Sequence, residues 1–176
     1  MNETKLVFAK ALLQLLNTQP LEKITVTQIT RQANMTRQTF YRNFEDKEAL
    51  VNWYFEKLCL ESFKEMADTT TLTEALIKKF NFIKSESTFF KEAFKSDDYN
   101  SLTNYDYRCI YNFYKEKIET QVQLDSNLDF LLQMYCHGSI EMTKDWVKNN
   151  MPMDVLSLVN MLIEAMPERL KSYLHI

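Results

Sequence analysis

The sequence predicts an all-α protein, and three observations carry that prediction. One glycine and three prolines in 176 residues leave almost none of the turn formers that β-hairpins need. Apolar residues recur at three- and four-residue spacing over long stretches, the mark of helices with one buried face. Short polar breaks separate those stretches, so helix follows helix along the chain. The length accommodates a module of about 50 residues and a further helical bundle.

The first pair of helices lies within Ile24 to Phe44, a stretch that holds no acidic residue. Thr25 precedes an apolar-periodic run and suits the N-cap, where its hydroxyl accepts a hydrogen bond from a free backbone N–H. Val26, Ile29 and Ala33 then share one face. Asn34 tolerates the left-handed backbone with which a helix ends. Thr36 can cap a second helix from Arg37 to about Phe44, on which Phe40 and Phe44 point into a core. Arg37, Gln38, Thr39, Tyr41, Arg42 and Asn43 are left facing outward or sideways. This is the outline of a helix-turn-helix with a helix for the major groove. An Arg fork bonds guanine O6 and N7 together, Gln does the same for adenine N6 and N7, and a Thr methyl touches a thymine methyl. Arg37, Gln38, Thr39 and Arg42 are therefore the candidate base readers. Thr25, Thr27, Thr36, Tyr41 and Lys47 suit phosphate contacts, which fix register without reading sequence. A solvated basic face on some other helical protein would show the same charge pattern.

Downstream, the spacing predicts a helix over Lys47 to Met66, with Leu50, Val51, Tyr54, Phe55, Leu58 and Phe63 at helical spacing, linking two lobes. After a polar break at Asp68 to Thr71 come helices over Leu72 to Lys84 and Ser87 to Lys95. A second break covers Asp97 to Thr103. Helices over Asn104 to Val122, Leu128 to Lys148 and Val155 to Tyr173 complete the set, the last two separated by Asn149, Asn150 and Pro152. The segment Val155 to Met166 is apolar on more than one face and must be covered on both sides, by its own core and by a second subunit; a core helix buried in a monomer is the alternative. Gly138, the single glycine, lies inside a helical run, where it costs about 1 kcal/mol against alanine. That points to a crowded helix crossing or a dimer seam, although a kink or a solvent-facing position would leave the same mark. Leu158 and Leu162 are candidate dimer-interface residues with it. Aromatic residues crowd the middle of the chain, from Phe80 through Tyr99 to Tyr114, and Tyr135 and Trp146 follow. Aromatics at this spacing serve as core, and some can wall a small-molecule pocket; Tyr111, Tyr135, His137 and Trp146 are the candidates.

Over residues 5 to 55 the chain resembles the TetR family of transcriptional regulators. The match rests on Leu16, Thr25, Val26, Ile29, Ala33, Thr36, Thr39, Phe40, Tyr41, Phe44, Lys47, Glu48 and Leu50. The run TRQTFYRNFEDKEAL is its most specific part, resembling the family's recognition helix and the turn into its fourth helix, with Asp46 as cap and Lys47 near phosphate. Pro20, Thr30, Asn34 and Gln38 depart from the family's pattern, and Gln38 bears on which operator is read. The resemblance implies a three-helix DNA-binding domain over residues 1–48 and a helical effector-binding and dimerisation domain over 49–176. It further implies a homodimer joined by its two C-terminal helices, a palindromic double-stranded operator, and a small-molecule effector that releases a repressor.

Charge and composition fit this picture. The formal net charge is −3, yet residues 1–50 hold seven Lys and Arg against five Asp and Glu. Local positive charge suffices for DNA, because attraction to phosphate decays over about 8 Å in physiological salt. Cys59, Cys109 and Cys136 stand singly without C-x-x-C spacing, which reads as reduced thiols in a cytoplasmic protein. No apolar run reaches the ~18 residues of a membrane span. Cys136 and His137, adjacent on a helix, point about 100° apart and are ill placed to share a metal or form a nucleophile and base. His175 lies at the C-terminal end. With two histidines, no His-x-x-x-His pair and one glycine, neither catalytic residues, a metal site nor a cofactor is expected. The competing class is an adaptor of the same fold that binds a ligand or another regulator without reading DNA.

Overall fold

The computed structural model describes residues 2–67, 69, 71–95 and 100–174, and within them every regular element is helical. A leading helix α1 (Asn2–Leu16) and a 3-10 turn (Leu21–Lys23) precede α2 (Val26–Gln32) and α3 (Arg37–Asn43). The long α4 (Lys47–Ala67) leaves this head and enters the body formed by α5 (Leu72–Ser85), α6 (Ser87–Ala93), α7 (Asn100–Glu119), α8 (Ser126–Lys148), α9 (Val155–Glu164) and the short α10 (Glu168–Lys171). No described helix is long and apolar enough to cross a membrane.

The head is organised by aromatic rings. Phe8 of α1 meets Phe40 of α3 edge to face at 5.2 Å, and Phe44 lies 5.8 Å from Trp53 of α4. With Leu12, Ile29 and Leu50, all fully buried, these rings fix three helices against the start of α4. The body packs α4 against α5 and α7, and α7 against α8. Its aromatic residues serve mainly as core: Phe80, Phe89, Phe90 and Tyr114 are all buried.

Helix ends follow side-chain chemistry. Asp125 caps α8 by accepting from Leu128 N at 2.7 Å, and Asp154 caps α9 by accepting from Ser157 N at 2.9 Å. The α8 terminus is a Schellman motif: Asn150, at φ 63, donates to Val147 O, and Met151 donates to Trp146 O. The sequence-based spans hold with two corrections. The run from Val155 to Tyr173 is two helices broken at Ala165–Pro167, because proline disfavours the helical conformation in the residue before it. The α7 helix begins at Asn100, inside the expected break, and ends at Glu119. Asp68, Thr70, Asp97, Asp98, Tyr99 and His175 lie outside the described residues.

Candidate nucleic-acid interface

The helix-turn-helix is built by the local chemistry expected of it. Thr25 forms a reciprocal capping box with Gln28: Gln28 N donates to its Oγ1 at 3.3 Å and Thr25 N donates to Gln28 Oε1 at 2.8 Å. At the other end of α2, Asn34 takes φ 52. Its N–H donates to Arg31 O while Met35 N donates to Thr30 O, a Schellman stop. Thr36 then caps α3 by accepting from Thr39 N at 3.1 Å. Asp46 caps α4 by accepting from Ala49 N at 2.7 Å. Phe40 and Phe44 turn inward, so α3 presents its opposite face to solvent.

On that outer face Arg37, Gln38, Tyr41 and Arg42 are exposed. The Tyr41 ring, 49 % exposed, lies edge-on to Phe40, and the Arg37 guanidinium sits 5.9 Å from its centroid. Thr39 is half-buried, and its hydroxyl is 2.9 Å from that of Thr36. Asn43 is turned back, donating to Thr39 O at 2.8 Å. Thr25, Thr27 and Thr36 are exposed as well. Lys47 is the most constrained of the candidates: its ammonium donates to Leu21 O at 2.9 Å and lies 3.8 Å from Glu48.

Leu21 also ties the head to the body. Its N–H donates to a Glu92 carboxylate oxygen on α6 at 3.0 Å, while Lys95 bonds the other oxygen. The 3-10 turn is thus held at its N–H by the body and at its carbonyl by the root of α4.

The four candidate pocket residues do not converge. Tyr111 donates to Asp129 Oδ1 at 2.6 Å, and His137 is exposed and stacked on Tyr107 at 4.3 Å, so these two share a surface of α7 and α8. Tyr135 donates inward to Leu162 O, and Trp146 donates to Met153 O while its ring meets Phe80. Eleven residues of helix, about 16 Å, separate Tyr135 from Trp146, and His137 lies across the helix from both. Cys136 is buried where His137 is exposed, and burial pushes the Cys136 thiol up to about 12.

The dimer candidates also sort differently. Leu158 and Leu162 are buried in the protomer, so they are core residues of α9 against its own body. The solvent-facing apolar residues are Leu156 and Met161 on α9 and Phe130, Met134 and Met142 on α8. Gly138 is exposed among the latter, and an added Cβ would meet nothing within 4 Å, so no crossing inside the protomer crowds it.

What sequence reasoning missed is a buried charge pair, Lys79 of α5 and Asp106 of α7, 3.9 Å apart. A signal was present. Lys79 shares the apolar face of Leu72, Ala75, Leu76 and Ile83, and Asp106 shares that of Leu102, Ile110 and Phe113.

Residues 9–53 match the model of bacterial regulatory proteins of the tetR family, and residues 70–168 match that of a transcriptional regulator C-terminal region. A curated relative, the HTH-type dhaKLM operon transcriptional activator DhaS of Lactococcus lactis subsp. lactis (strain IL1403), is 28 % identical over 94 residues, 53 % of this chain and 50 % of the relative. The matched stretch thus spans half the length of that protein. A solved structure of the dihydroxyacetone kinase operon activator DhaS superposes with a TM-score of 0.74 at 19 % identity, over 97 % of this chain and 98 % of the other. The TetR family repressor AlkX from Dietzia sp. strain DQ12-45-1b does so at 0.65 and 17 % identity, over 96 % and 98 %. The chain belongs to the TetR family of bacterial transcriptional regulators.

Proposed function

We propose that the chain reads a palindromic operator as a homodimer, and that a small molecule bound in its body controls its hold on that DNA. In this reading residues 1–48 form the DNA-reading head and residues 49–176 the effector-binding and dimerising body. The observation that carries the reading is the outer face of α3. Arg37, Gln38, Tyr41 and Arg42 stand exposed there on a helix that holds no acidic residue, while Phe40 and Phe44 fasten it from behind. A rigid helix with free donors on one side has what a major groove accepts. Arg37, Gln38, Arg42 and the Thr39 methyl take the base edges. Thr25, Thr27, Thr36 and Tyr41 take phosphate, as does Lys47 once its ammonium swings from Leu21 O.

The second subunit is supported by Phe130, Met134, Met142, Leu156 and Met161, apolar side chains more than half exposed on two neighbouring helices. Pairing these faces would hold two recognition helices for half-sites about 34 to 36 Å apart. The contact of Glu92 with Leu21 gives the body a hold on the head, through which an effector can favour one spacing over another.

The sign of regulation is not a property of the fold. The family resemblance implies release-type repression, whereas the relative from Lactococcus is named an activator and the Dietzia neighbour a repressor. We keep repression as the proposal. A reporter driven by the chain's own upstream DNA tests it, with repression lost on deletion of the gene. A gel shift with that DNA tests operator binding: the wild-type chain retards it at low salt, and Arg37→Ala needs a higher protein concentration to do so. No retardation at low salt by the wild type would favour the adaptor.

A further inference from the structure

Lys47, given to phosphate in the reading above, is withdrawn in this structure. Its side chain is 14 % exposed, against 54 % for Lys95, and its ammonium donates to Leu21 O at 2.9 Å. A lysine so enclosed reaches a phosphate oxygen only by leaving that carbonyl. The cost of leaving depends on how firmly the carbonyl is held in place. Leu21 O also accepts from Ile24 N at 3.1 Å inside the 3-10 turn, so departure of the ammonium does not leave it orphaned.

The turn is fixed from its other side. Leu21 N donates to Glu92 Oε2 at 3.0 Å, a bond from the head to α6 of the body. Glu92 is itself well placed: its side chain is 12 % exposed, and Lys95 donates to its other oxygen. A hydrogen bond to a carboxylate is a strong one, so the restraint on Leu21 is firm. The two bonds therefore act in series through one residue. Glu92 holds the N–H, and the carbonyl of the same residue holds Lys47.

We propose that Glu92 is a positioning residue for the phosphate contact of Lys47: by fixing Leu21 it keeps the carbonyl of the turn on the ammonium and restrains Lys47 from DNA. This rests on the reading of residues 1–48 as a DNA-binding head. The arrangement with Glu92 on Leu21 is then the one with lower DNA affinity. Movement of α6 away from the turn takes the acceptor from Leu21 N–H, loosens the turn and releases Lys47 to phosphate. A body held in the closed arrangement favours release from DNA, and by linkage bound DNA favours the parted one. A phosphate contact reads no sequence, so the device scales affinity for all DNA alike and leaves base preference to α3. The charge of Glu92 would also weaken DNA binding by plain repulsion. Chemistry separates the two causes, because glutamine keeps an acceptor for Leu21 N–H without the charge, and methionine keeps neither.

The test takes two measurements on the full chain. In the first, without DNA, acetylation of each lysine by acetic anhydride is followed by mass spectrometry. Lys47 should react about five-fold faster in Glu92→Met than in the wild type, the factor of one hydrogen bond, and Glu92→Gln should stay near the wild type. In the second, fluorescence anisotropy follows binding to a duplex of mixed sequence at low salt. Glu92→Met should bind about five-fold more tightly than the wild type and Glu92→Gln much less so. In the Lys47→Ala background, Glu92→Met should change nothing. Glu92→Ala replaces Glu92→Met if the latter does not fold. Equal gains in the methionine and glutamine variants, or a gain that survives Lys47→Ala, would assign the effect to charge and overturn the proposal. An unchanged reaction rate at Lys47 with sound DNA binding would overturn the proposal alone. If the wild type binds no duplex while Lys47 is still unmasked, the DNA-binding head fails and the proposal fails with it.

Discussion

At the scale of single residues, the DNA contacts proposed for α3 and the start of α4 separate into two kinds with different signatures. Losing a bidentate arginine removes base discrimination, so Arg37→Ala should weaken operator binding by about 1 to 3 kcal/mol and relax preference at one base pair. Lys47→Ala should weaken every DNA sequence alike and reduce the salt slope by about one. Lys47 also donates to Leu21 O, so this variant should lose on the order of 1 kcal/mol of folding stability as well. Fluorescence anisotropy over a set of single-base operator variants, repeated across salt, distinguishes the two; a changed base preference in Lys47→Ala would contradict its role at phosphate. The residues that build this site were legible because their roles are local. Thr25, Asn34, Thr36 and Asp46 act on backbone groups within five residues of themselves, and each stands where sequence chemistry puts it. Lys79 and Asp106 were less legible because their partnership joins two helices, although a charge on an apolar face marked each of them.

At the scale of elements, short helices depend on their ends. The seven-residue α3 has few internal hydrogen bonds, so its cap carries a large share of its order. Thr36→Ala should cost about 0.5 to 2 kcal/mol, measured by urea denaturation, and weaken DNA binding because α3 frays. A loss of stability without loss of affinity would show that the groove contacts do not need an ordered N-terminus. Between head and body, Glu92 is the contact with a pH signature. Burial favours its neutral form, but the Lys95 ammonium and the Leu21 N–H outweigh this and hold the carboxyl below its ordinary value. Its contribution is therefore present above the ordinary carboxylate range and lost as pH falls through the lowered value. Glu92→Gln should be less stable than the wild type at neutral pH, and the gap should close as pH falls through and below the ordinary carboxylate range; a gap independent of pH would remove charge from the explanation. The sequence read most helix bodies correctly, since periodicity survives in each. It missed the break at Pro167 because apolar spacing continues through Leu170 and Tyr173, while the peptide geometry before proline does not.

At the scale of the whole molecule, the proposed dimer rests on the outer faces of α8 and α9. Phe130 is 64 % and Met134 61 % exposed, next to a groove of about 450 Å³ that Gly138, Ser139 and Ala165 help to line. Met134→Glu should give a monomer of unchanged helix content by sedimentation equilibrium, with weaker operator binding; a dimer that persists would assign this surface to another partner. Which helical faces lie outward depends on how the body packs, and for that reason Leu158 and Leu162 read as interface from α9 alone yet lie inside the protomer. Gly138 offers the sharper test because its two effects have opposite signs. Nothing in the protomer lies within 4 Å of where its Cβ would be, so the fold itself gains nothing visible from a glycine that costs about 1 kcal/mol in helix propensity. A second subunit approaching this backbone would explain it. In the Met134→Glu background, Gly138→Ala should raise protomer stability by up to about 1 kcal/mol. In the otherwise native chain, Gly138→Leu should weaken dimerisation as its side chain enters the seam. If Gly138→Leu leaves dissociation unchanged while Gly138→Ala still stabilises the protomer, the glycine faces open solvent and the two subunits meet elsewhere on α8.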